Sequence, residues 1–119
     1  MIVLKEIVER LHLTAVTDAD ASRAITGAYA SDLLSCVMAR AKAGQIWITL
    51  QAHPNVVAVA SLLDLAAVII TEGVTPDLKA IQKAQEERVA LLSTPKDTFT
   101  VAGELTMLGI KSGAPAQSE

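Results

Sequence analysis

Polar side chains suited to holding a small ligand follow several short apolar runs of this 119-residue chain. Four runs of strand length end in hydroxyl residues, and the last three lead within a few residues into predicted helix starts. In an open parallel sheet the strand ends lie along one edge, where ligands normally bind. Helix amino termini at that edge present free N–H groups and partial positive charge, which suit a phosphate or a carboxylate. The hydroxyl residues are Thr17, Thr49, Thr71, Ser93 and Thr94.

We therefore predict a shallow polar pocket for a small anion where the strand over residues 45–50 passes into the next helix. Hydroxyls, side-chain amides and helix N–H groups would hold the anion, and Tyr29 and Ser31 would close the pocket. The alternative is a purely structural role, because threonine is favoured in strands and Ser and Thr cap helices. The predicted lining is Thr49, Gln51, His53, Asn55, Thr71, Gly73, Tyr29 and Ser31.

No catalytic group is predicted. The chain lacks the glycine-rich Lys-Ser/Thr loop that cradles phosphates in many nucleotide-binding enzymes. The single cysteine, Cys36, lies within a predicted helix beside apolar residues and is expected to be a packed thiol. His12, expected on a strand, and His53 are the only imidazoles, too few for a convincing histidine metal site. We expect no metal, no cofactor and no enzymatic activity.

Composition limits the classes of partner. A chain of this length, half of it apolar, suits one domain with an aliphatic core. A formal net charge of -3 and only one Trp, one Tyr and one Phe argue against nucleic-acid binding, which needs basic faces or stacking aromatics. The most apolar stretch, residues 55–70, is broken by Ser61 and Asp64 and is shorter than the ~20 residues of a membrane span. We expect a cytoplasmic protein that binds neither nucleic acid nor membrane.

Helical and strand patterns alternate along the chain, which predicts an α/β fold. The expected architecture is a three-layer domain over residues 1–110, with a mainly parallel sheet flanked by helices. Residues 18–30 are expected to form a loop, and residues 111–119 a flexible tail. Strands are predicted over residues 11–17, 45–50, 65–71 and 89–93. Helices are predicted over residues 1–10, 31–44 and 54–63, from residue 75 onward, and over residues 97–109.

Local signals mark where these helices begin and end. Ser31 and Asp32 are expected to cap one helix and to supply its first-turn acid. Pro54 suits the first turn of the next helix, where its missing N–H costs nothing. Asp97 is expected to cap the last helix, and Gly109 to end it in a left-handed conformation.

For two helices the sequence predicts how they are buried. The helix that opens at Thr75-Pro76 is expected to turn Leu78, Ile81 and Ala84 inward. The helix over residues 54–63 is apolar almost all round, so it must be covered on more than one side. We predict a homodimer in which a second copy supplies that cover, and the alternative is a three-layer core within one chain. The predicted interface is drawn from Val56, Val59, Ala60 and Leu63.

Three stretches resemble the DRTGG domain in its short stand-alone form. They are GAYASDLLS over residues 27–35, IWITLQAHPN over 46–55, which is the most specific, and VIITEG over 68–73. Thr71 and Gly73 match the threonine and final glycine of the family's name, and Glu72 replaces the glycine between them. The resemblance extends over nearly the whole chain apart from the tail.

The resemblance implies a fold similar to the amino-terminal domain of HPr kinase/phosphorylase. The family also occurs within phosphotransacetylases and between CBS domains of some pyrophosphatases, where it accompanies catalysis or regulation without performing the chemistry. Stand-alone members are encoded near iron-only hydrogenase components, which implies a possible protein partner. We expect a regulatory module that senses a small anionic metabolite or nucleotide. The alternative is a homodimeric interaction or assembly subunit, linked to a hydrogenase or another redox system.

Overall fold

Helices and strands alternate along the chain in a computed structural model, which describes residues 1–18 and 20–113. None of the helices in that part of the chain combines the length and the apolar character that crossing a membrane requires. The elements are α1 Leu4–Arg10, β1 Thr14–Ala15, β2 Gly27–Ala30, α2 Leu34–Arg40, β3 Gln45–Thr49, α3 Pro54–Leu62, β4 Ala67–Ile70, α4 Leu78–Glu87, β5 Leu91–Ser93 and α5 Thr98–Met107.

The strands form one five-stranded sheet in the order β1-β5-β4-β3-β2. Strands β2 to β5 run parallel, and β1 pairs antiparallel with β5. The register places Ile48 of β3 opposite Ile69 of β4, and Ile69 opposite Leu92 of β5. All residues of β3 and β4 are buried, which explains why both segments read as nearly continuous apolar runs. The predicted α/β fold with a mainly parallel sheet is confirmed.

Helices cover both faces of the sheet. Alternate strand residues, such as Ile69 and its neighbour Val68, point to opposite faces. Ile69 belongs to the core that α1 and α5 cover, whereas Val68 belongs to the core beneath α2, α3 and α4. This is the three-layer arrangement predicted from the sequence.

The apolar helix α3 is covered within a single chain. It packs against β4, α2 and α4. Val56, Val59 and Ala60 are buried there, and Leu63 is half-buried at the carboxyl end of the helix. The predicted alternative, in which a three-layer core within one chain covers α3, accounts for the burial of these residues, and the homodimer stays a prediction.

The predicted loop over residues 18–30 contains the edge strand β2. Its residues are mostly glycine and alanine, so they show no apolar alternation of their own. Pairing with β3, in which Tyr29 lies opposite Trp47, holds this segment as a strand. The strand was missed because its position depends on a distant partner.

The strand predicted over residues 11–17 is reduced to Thr14–Ala15. His12 is exposed, with a left-handed φ of 55°, so it belongs to a turn and not to a strand. Because β1 runs antiparallel to β5, Thr17 lies at the opposite edge from the ends of the parallel strands. Its hydroxyl donates to the Val89 carbonyl at 2.7 Å and accepts from the Leu91 N–H at 3.0 Å.

Several predicted helix signals are corrected. The N-cap of α2 is Leu33, and Asp32 turns away to contact β3. That helix ends at Arg40, before Gly44. In α4 the first residue, Leu78, is 78% exposed, and the buried positions are Ala80 and Ala84.

Other predicted signals are confirmed. Pro54 occupies the first turn of α3, and the Asp97 side chain caps α5 by accepting from the Thr100 N–H at 2.7 Å. Gly109 has a φ of 90°, in the left-handed region.

The first residues of the predicted tail contact the domain. The Lys111 carbonyl accepts from the Ala28 N–H at 2.8 Å, and the Ser112 carbonyl accepts from the Gln45 side chain at 2.8 Å. The remaining tail, residues 114–119, lies outside the described residues.

Candidate functional site

The parallel strands β2 to β5 end at one edge of the sheet, which we call the carboxyl edge. Polar residues follow every one of these strands there. Asp32 comes shortly after β2, Thr49 closes β3, Thr71 follows β4 and Thr94 follows β5. All three threonines are buried. The carboxyl edge therefore collects the hydroxyl residues predicted to lie there, with the exception of Thr17.

Asp32 is the centre of a hydrogen-bond network that joins β2 to β3. Its Oδ1 accepts from the Thr49 hydroxyl at 2.8 Å and from the Leu50 N–H at 2.9 Å. The Thr49 hydroxyl accepts in turn from the Gln51 N–H at 3.1 Å. The Thr49 side chain is fully buried and its hydroxyl is committed to these contacts, so it serves as a structural link between the strands.

A second network joins β4 to the start of α5. The fully buried Thr71 hydroxyl lies 2.8 Å from the Thr98 hydroxyl and donates to the Thr49 carbonyl at 3.4 Å. The Glu72 carboxylate accepts from the Thr98 N–H at 3.1 Å. Hydrogen bonds from the Thr100 hydroxyl and then from its N–H hold the pKa of Asp97 below its usual value. Two carboxylates of the chain itself thus occupy the first N–H groups of α5.

The start of α3 differs, because its cap carries no carboxylate. His53 Nδ1 accepts from the Asn55 N–H at 3.1 Å, and no acidic residue lies in the first turn. Since Nδ1 accepts a hydrogen bond, the neutral ring carries its proton on Nε2, which is then a donor. Gln51, His53 and Asn55 are exposed. Together with Leu34 and Val56 they line a depression of about 190 Å³, which we call the α3 depression.

The remaining predicted site residues lie elsewhere on the molecule. Gly73, with a φ of 70°, lines a separate depression of about 260 Å³ beside the end of β5. Tyr29 is half-buried and packs against the core on the α3 side of the sheet. The Ser31 hydroxyl accepts from the Leu33 N–H, and its carbonyl accepts from the Trp47 indole at 2.8 Å. The structure therefore brings Gln51, His53 and Asn55 together, while Thr49 and Thr71 are buried beneath the edge.

Sequence reasoning missed the roles of Asp32 and Thr98. Asp32 was predicted to begin a helix, and its contact with Thr49 crosses 17 positions of the sequence. An acidic residue directly after a possible edge strand was the available signal, but that strand was itself missed.

Other side chains that could act as metal ligands, acids or nucleophiles are isolated or have structural roles. Across residues 1–18 and 20–113, no three His, Cys, Asp or Glu side chains come close enough to hold a metal ion. Asp64 pairs with Arg23 at 2.9 Å, and this hydrogen bond, followed by the positive charge of Arg23, lowers the pKa of Asp64. Cys36 is half-buried on α2.

Residues 4–108 match the family model of the DRTGG domain. The chain belongs to the DRTGG domain family. No curated protein sequence is similar enough to count as a match.

The DRTGG fold is shared with a solved structure from Clostridium perfringens. That structure holds the CBS and DRTGG domains of the regulatory region of a pyrophosphatase, complexed with the activator diadenosine tetraphosphate. The TM-score is 0.67 at 20% sequence identity, and the match covers 87% of this chain and 45% of the other. This DRTGG domain therefore spans less than half of the pyrophosphatase region, and the likeness at this identity shows the fold.

Proposed function

We propose that this DRTGG domain is a non-catalytic regulatory module that senses a small anionic metabolite or a nucleotide at the α3 depression. The observation that carries the proposal is the set of accessible polar side chains, none of them a carboxylate, around the start of α3. Gln51, His53 and Asn55 line the same depression. Membership of a family that forms part of a pyrophosphatase regulatory region, crystallised there with a nucleotide activator, supports the regulatory role.

The chemistry of the α3 depression suits a phosphate or carboxylate group. His53 Nε2 and the two side-chain amides supply donors, and the amino terminus of α3 adds partial positive charge. Leu34 and Val56 supply an apolar floor. A volume of about 190 Å³ holds the anionic group and leaves the rest of a larger ligand outside the depression.

A non-catalytic role is supported by how the nearby groups are used. Catalysis needs a nucleophile or a base that is free to act on a bound substrate. At the carboxyl edge Asp32 Oδ1 accepts from Thr49 and Leu50, and His53 Nδ1 accepts from the helix backbone. Both atoms accept structural hydrogen bonds, so neither is free to act as a catalytic base.

A thermal-shift screen followed by calorimetry tests the proposal. The screen covers nucleotides, acyl phosphates and small organic acids, since a ligand selective for the folded state raises its stability. ATP, pyrophosphate and each compound that raises the Tm are then titrated into the wild type and into His53→Asn. Asparagine is a good N-cap, so this variant keeps an acceptor for the Asn55 N–H but loses the imidazole donor. We expect weaker binding at unchanged Tm.

The matched control is Gln82→Ala, an exposed position on α4. It should bind as tightly as the wild type. Equal affinity of His53→Asn and the wild type would place the site elsewhere. A screen without any stabilising compound would contradict a ligand-sensing function for the domain.

A homodimeric interaction or assembly subunit is the second candidate function. The uncharged exposed face of α5 favours it, because Phe99 and Met107 are each 87% exposed there. The family resemblance implies a redox-system partner for such a subunit. We also propose a cytoplasmic location, which the lone Cys36 supports.

A further inference from the structure

Strand β2 forms one edge of the sheet, and part of its backbone faces outward without a partner. In a strand the N–H groups of successive residues point to opposite sides. The Ser31 N–H donates to the Ile48 carbonyl of β3 at 3.2 Å, whereas the Ala28 N–H donates outward to the Lys111 carbonyl at 2.8 Å. The N–H and carbonyl of Ala30 and the carbonyl of Ala28 therefore face away from β3. Among residues 1–18 and 20–113, nothing pairs with these three groups.

The chain itself lays extended backbone against the first half of this edge. After α5 it passes β2 in the opposite direction, with Lys111 beside Ala28. The Ser112 carbonyl then accepts from the side chain of Gln45, which lies opposite Gly27 in the register. A Cβ added to Gly27 would lie 2.8 Å from the Lys111 carbonyl oxygen, so the glycine allows this close approach. The first half of the edge is thus covered, and the second half, from the Ala28 carbonyl onward, is open.

An apolar groove of about 330 Å³, which we call the β2 groove, lies beside the open half of the edge. Ala28 and Ala30 of β2 line it from one side, and Ala102 and Thr106 of α5 from the other. The groove exists because these small side chains leave the space between strand and helix unfilled. The Thr106 hydroxyl donates to the Ala102 carbonyl at 2.9 Å, so it adds no free donor to the lining. Leu105, a buried core residue, also lines the groove.

Strand β2 lacks the features that usually protect the edge of a sheet. Native edge strands are commonly very short, bulged, or guarded by lysine or proline. The opposite edge strand, β1, has only two residues, whereas β2 is GAYA, with no charge and no proline. An open edge beside an apolar groove suits an extended peptide, because backbone pairing supplies affinity and the groove accepts alternate side chains.

We propose that the open half of the β2 edge binds an extended peptide segment of a partner protein, which adds a strand to the sheet and places small aliphatic side chains in the β2 groove. Ala28 and Ala30 supply one backbone donor and two backbone acceptors. The open edge from Ala28 to Asp32 is roughly 13 Å long in extended backbone, so a segment of about five residues covers it. Pairing through backbone groups makes the site tolerant of the sequence of the segment.

A second copy of the chain fits this edge less well than a short peptide does. Two β2 strands that pair antiparallel about Ala30 would place Asp32 of one copy opposite Ala28 of the other. The Lys111 carbonyl already holds the Ala28 N–H, and a short peptide can end before this contact. The β2 groove lies on the α5 side of the sheet and the α3 depression on the other side, so the peptide site does not depend on the proposed ligand site.

Two-dimensional NMR of the ¹⁵N-labelled full chain tests the proposal with the peptide acetyl-Ser-Val-Thr-Val-Ser-amide. Its two valines lie on one face of an extended strand, as the β2 groove requires. We expect saturable shifts at the amides of Ala28, Ala30, Ala102 and Thr106. The Kd should be on the order of 1 mM, because few hydrogen bonds and a small apolar contact contribute.

The variant Ala30→Pro tests the backbone pairing. It removes the outward N–H, which has no partner in the described chain, and proline is tolerated in edge strands at such positions. The Tm should stay nearly unchanged, while the peptide should bind at least about fivefold more weakly. The matched control is Ala30→Ser, which keeps the N–H and should bind like the wild type. Equal affinity of the proline and serine variants would overturn the proposal.

The variant Ala102→Leu tests the groove, because its larger side chain fills the space that the valines would enter. It should weaken peptide binding severalfold, whereas Ala39→Leu, the same change at an exposed position of α2, should not. Equal binding by the two variants would contradict the groove contact. A wild type without saturable shifts around β2 at ten times the expected Kd overturns the proposal. Concentration-dependent broadening at Ala30 without peptide also overturns it, in favour of a second copy.

Discussion

The starts of α3 and α5 lie at the same edge of the sheet, yet different chemical groups cap them. At α5 the first N–H groups contact the carboxylates of Glu72 and Asp97. At α3 the cap is the imidazole of His53, and no acid lies in the first turn. An incoming anion would meet two negative charges at α5, whereas none of the side chains that line the α3 depression is a carboxylate. The amino terminus of α5 is thus capped by carboxylates of the chain itself, whereas that of α3 is capped by His53, which accepts from the Asn55 and Val56 N–H groups.

We expect the largest effect on the free energy of unfolding from replacing a buried threonine beneath this edge. Thr49→Val removes the hydroxyl that donates to Asp32 and accepts from the Gln51 N–H. We expect a loss of about 1 to 3 kcal/mol in the free energy of unfolding, because the partners of a buried hydroxyl lose their hydrogen bonds. Urea denaturation measures the loss. Thr14→Val, at an exposed position of β1, should change stability by much less. Equal losses in the two variants would show that the edge network is not structural.

The cap of α3 should separate stability from ligand binding. His53→Ala removes the acceptor for the Asn55 N–H, and losing an N-cap costs about 0.5 to 2 kcal/mol. His53→Asn should retain most of that stability, because asparagine is a favoured cap. Thermal unfolding of both variants checks this difference. If His53→Asn unfolds as readily as His53→Ala, the imidazole stabilises the fold through more than its hydrogen bond to the Asn55 N–H. The description of His53 as the N-cap of α3 would then be incomplete.

The carboxylate cap of α5 should appear as a dependence of stability on pH. The pKa of Asp97 is lowered in the folded state by hydrogen bonds from the Thr100 hydroxyl and N–H. The ionised form therefore stabilises the fold above the unfolded pKa of about 4, and this contribution is lost as the pH falls through the folded-state pKa. Asp97→Asn should lower the Tm slightly near neutral pH.

The difference in Tm between the wild type and Asp97→Asn should shrink as the solution is acidified below about pH 4. Asp20 and Asp64 also have lowered pKa values, so both proteins keep some acid sensitivity. A constant difference between them from neutral to acid pH would mean that the charge of Asp97 does not stabilise α5.

The sequence predicted the parts of the fold that depend on local pattern. The apolar runs of β3 and β4, Pro54 at the start of α3 and the cap at Asp97 follow from composition and spacing alone. Strand β2 has small residues and no apolar alternation, so only its pairing with β3 reveals it. The direction of β1, which carries Thr17 to the opposite edge, likewise depends on a distant strand.

Only part of the candidate site could be predicted, because local spacing does not show which residues are buried by distant elements. Gln51, His53 and Asn55 are close in sequence, and they remain together in the structure. Gly73 lies in another depression, and the burial of Thr49 depends on packing against elements far along the chain. Local spacing identified the helix start, whereas the division between structural and accessible hydroxyls required the tertiary fold.

The difference between the two helix starts is tested most directly by following backbone amides during titration with ATP and, separately, with pyrophosphate. Two-dimensional NMR of the ¹⁵N-labelled full chain reports on both helix starts in one experiment. Our account predicts saturable shifts at Gln51, His53 and Asn55, with no comparable change from Thr98 to Thr100. Shifts centred on Thr98 to Thr100, or no shifts at either helix start with both compounds, would contradict it.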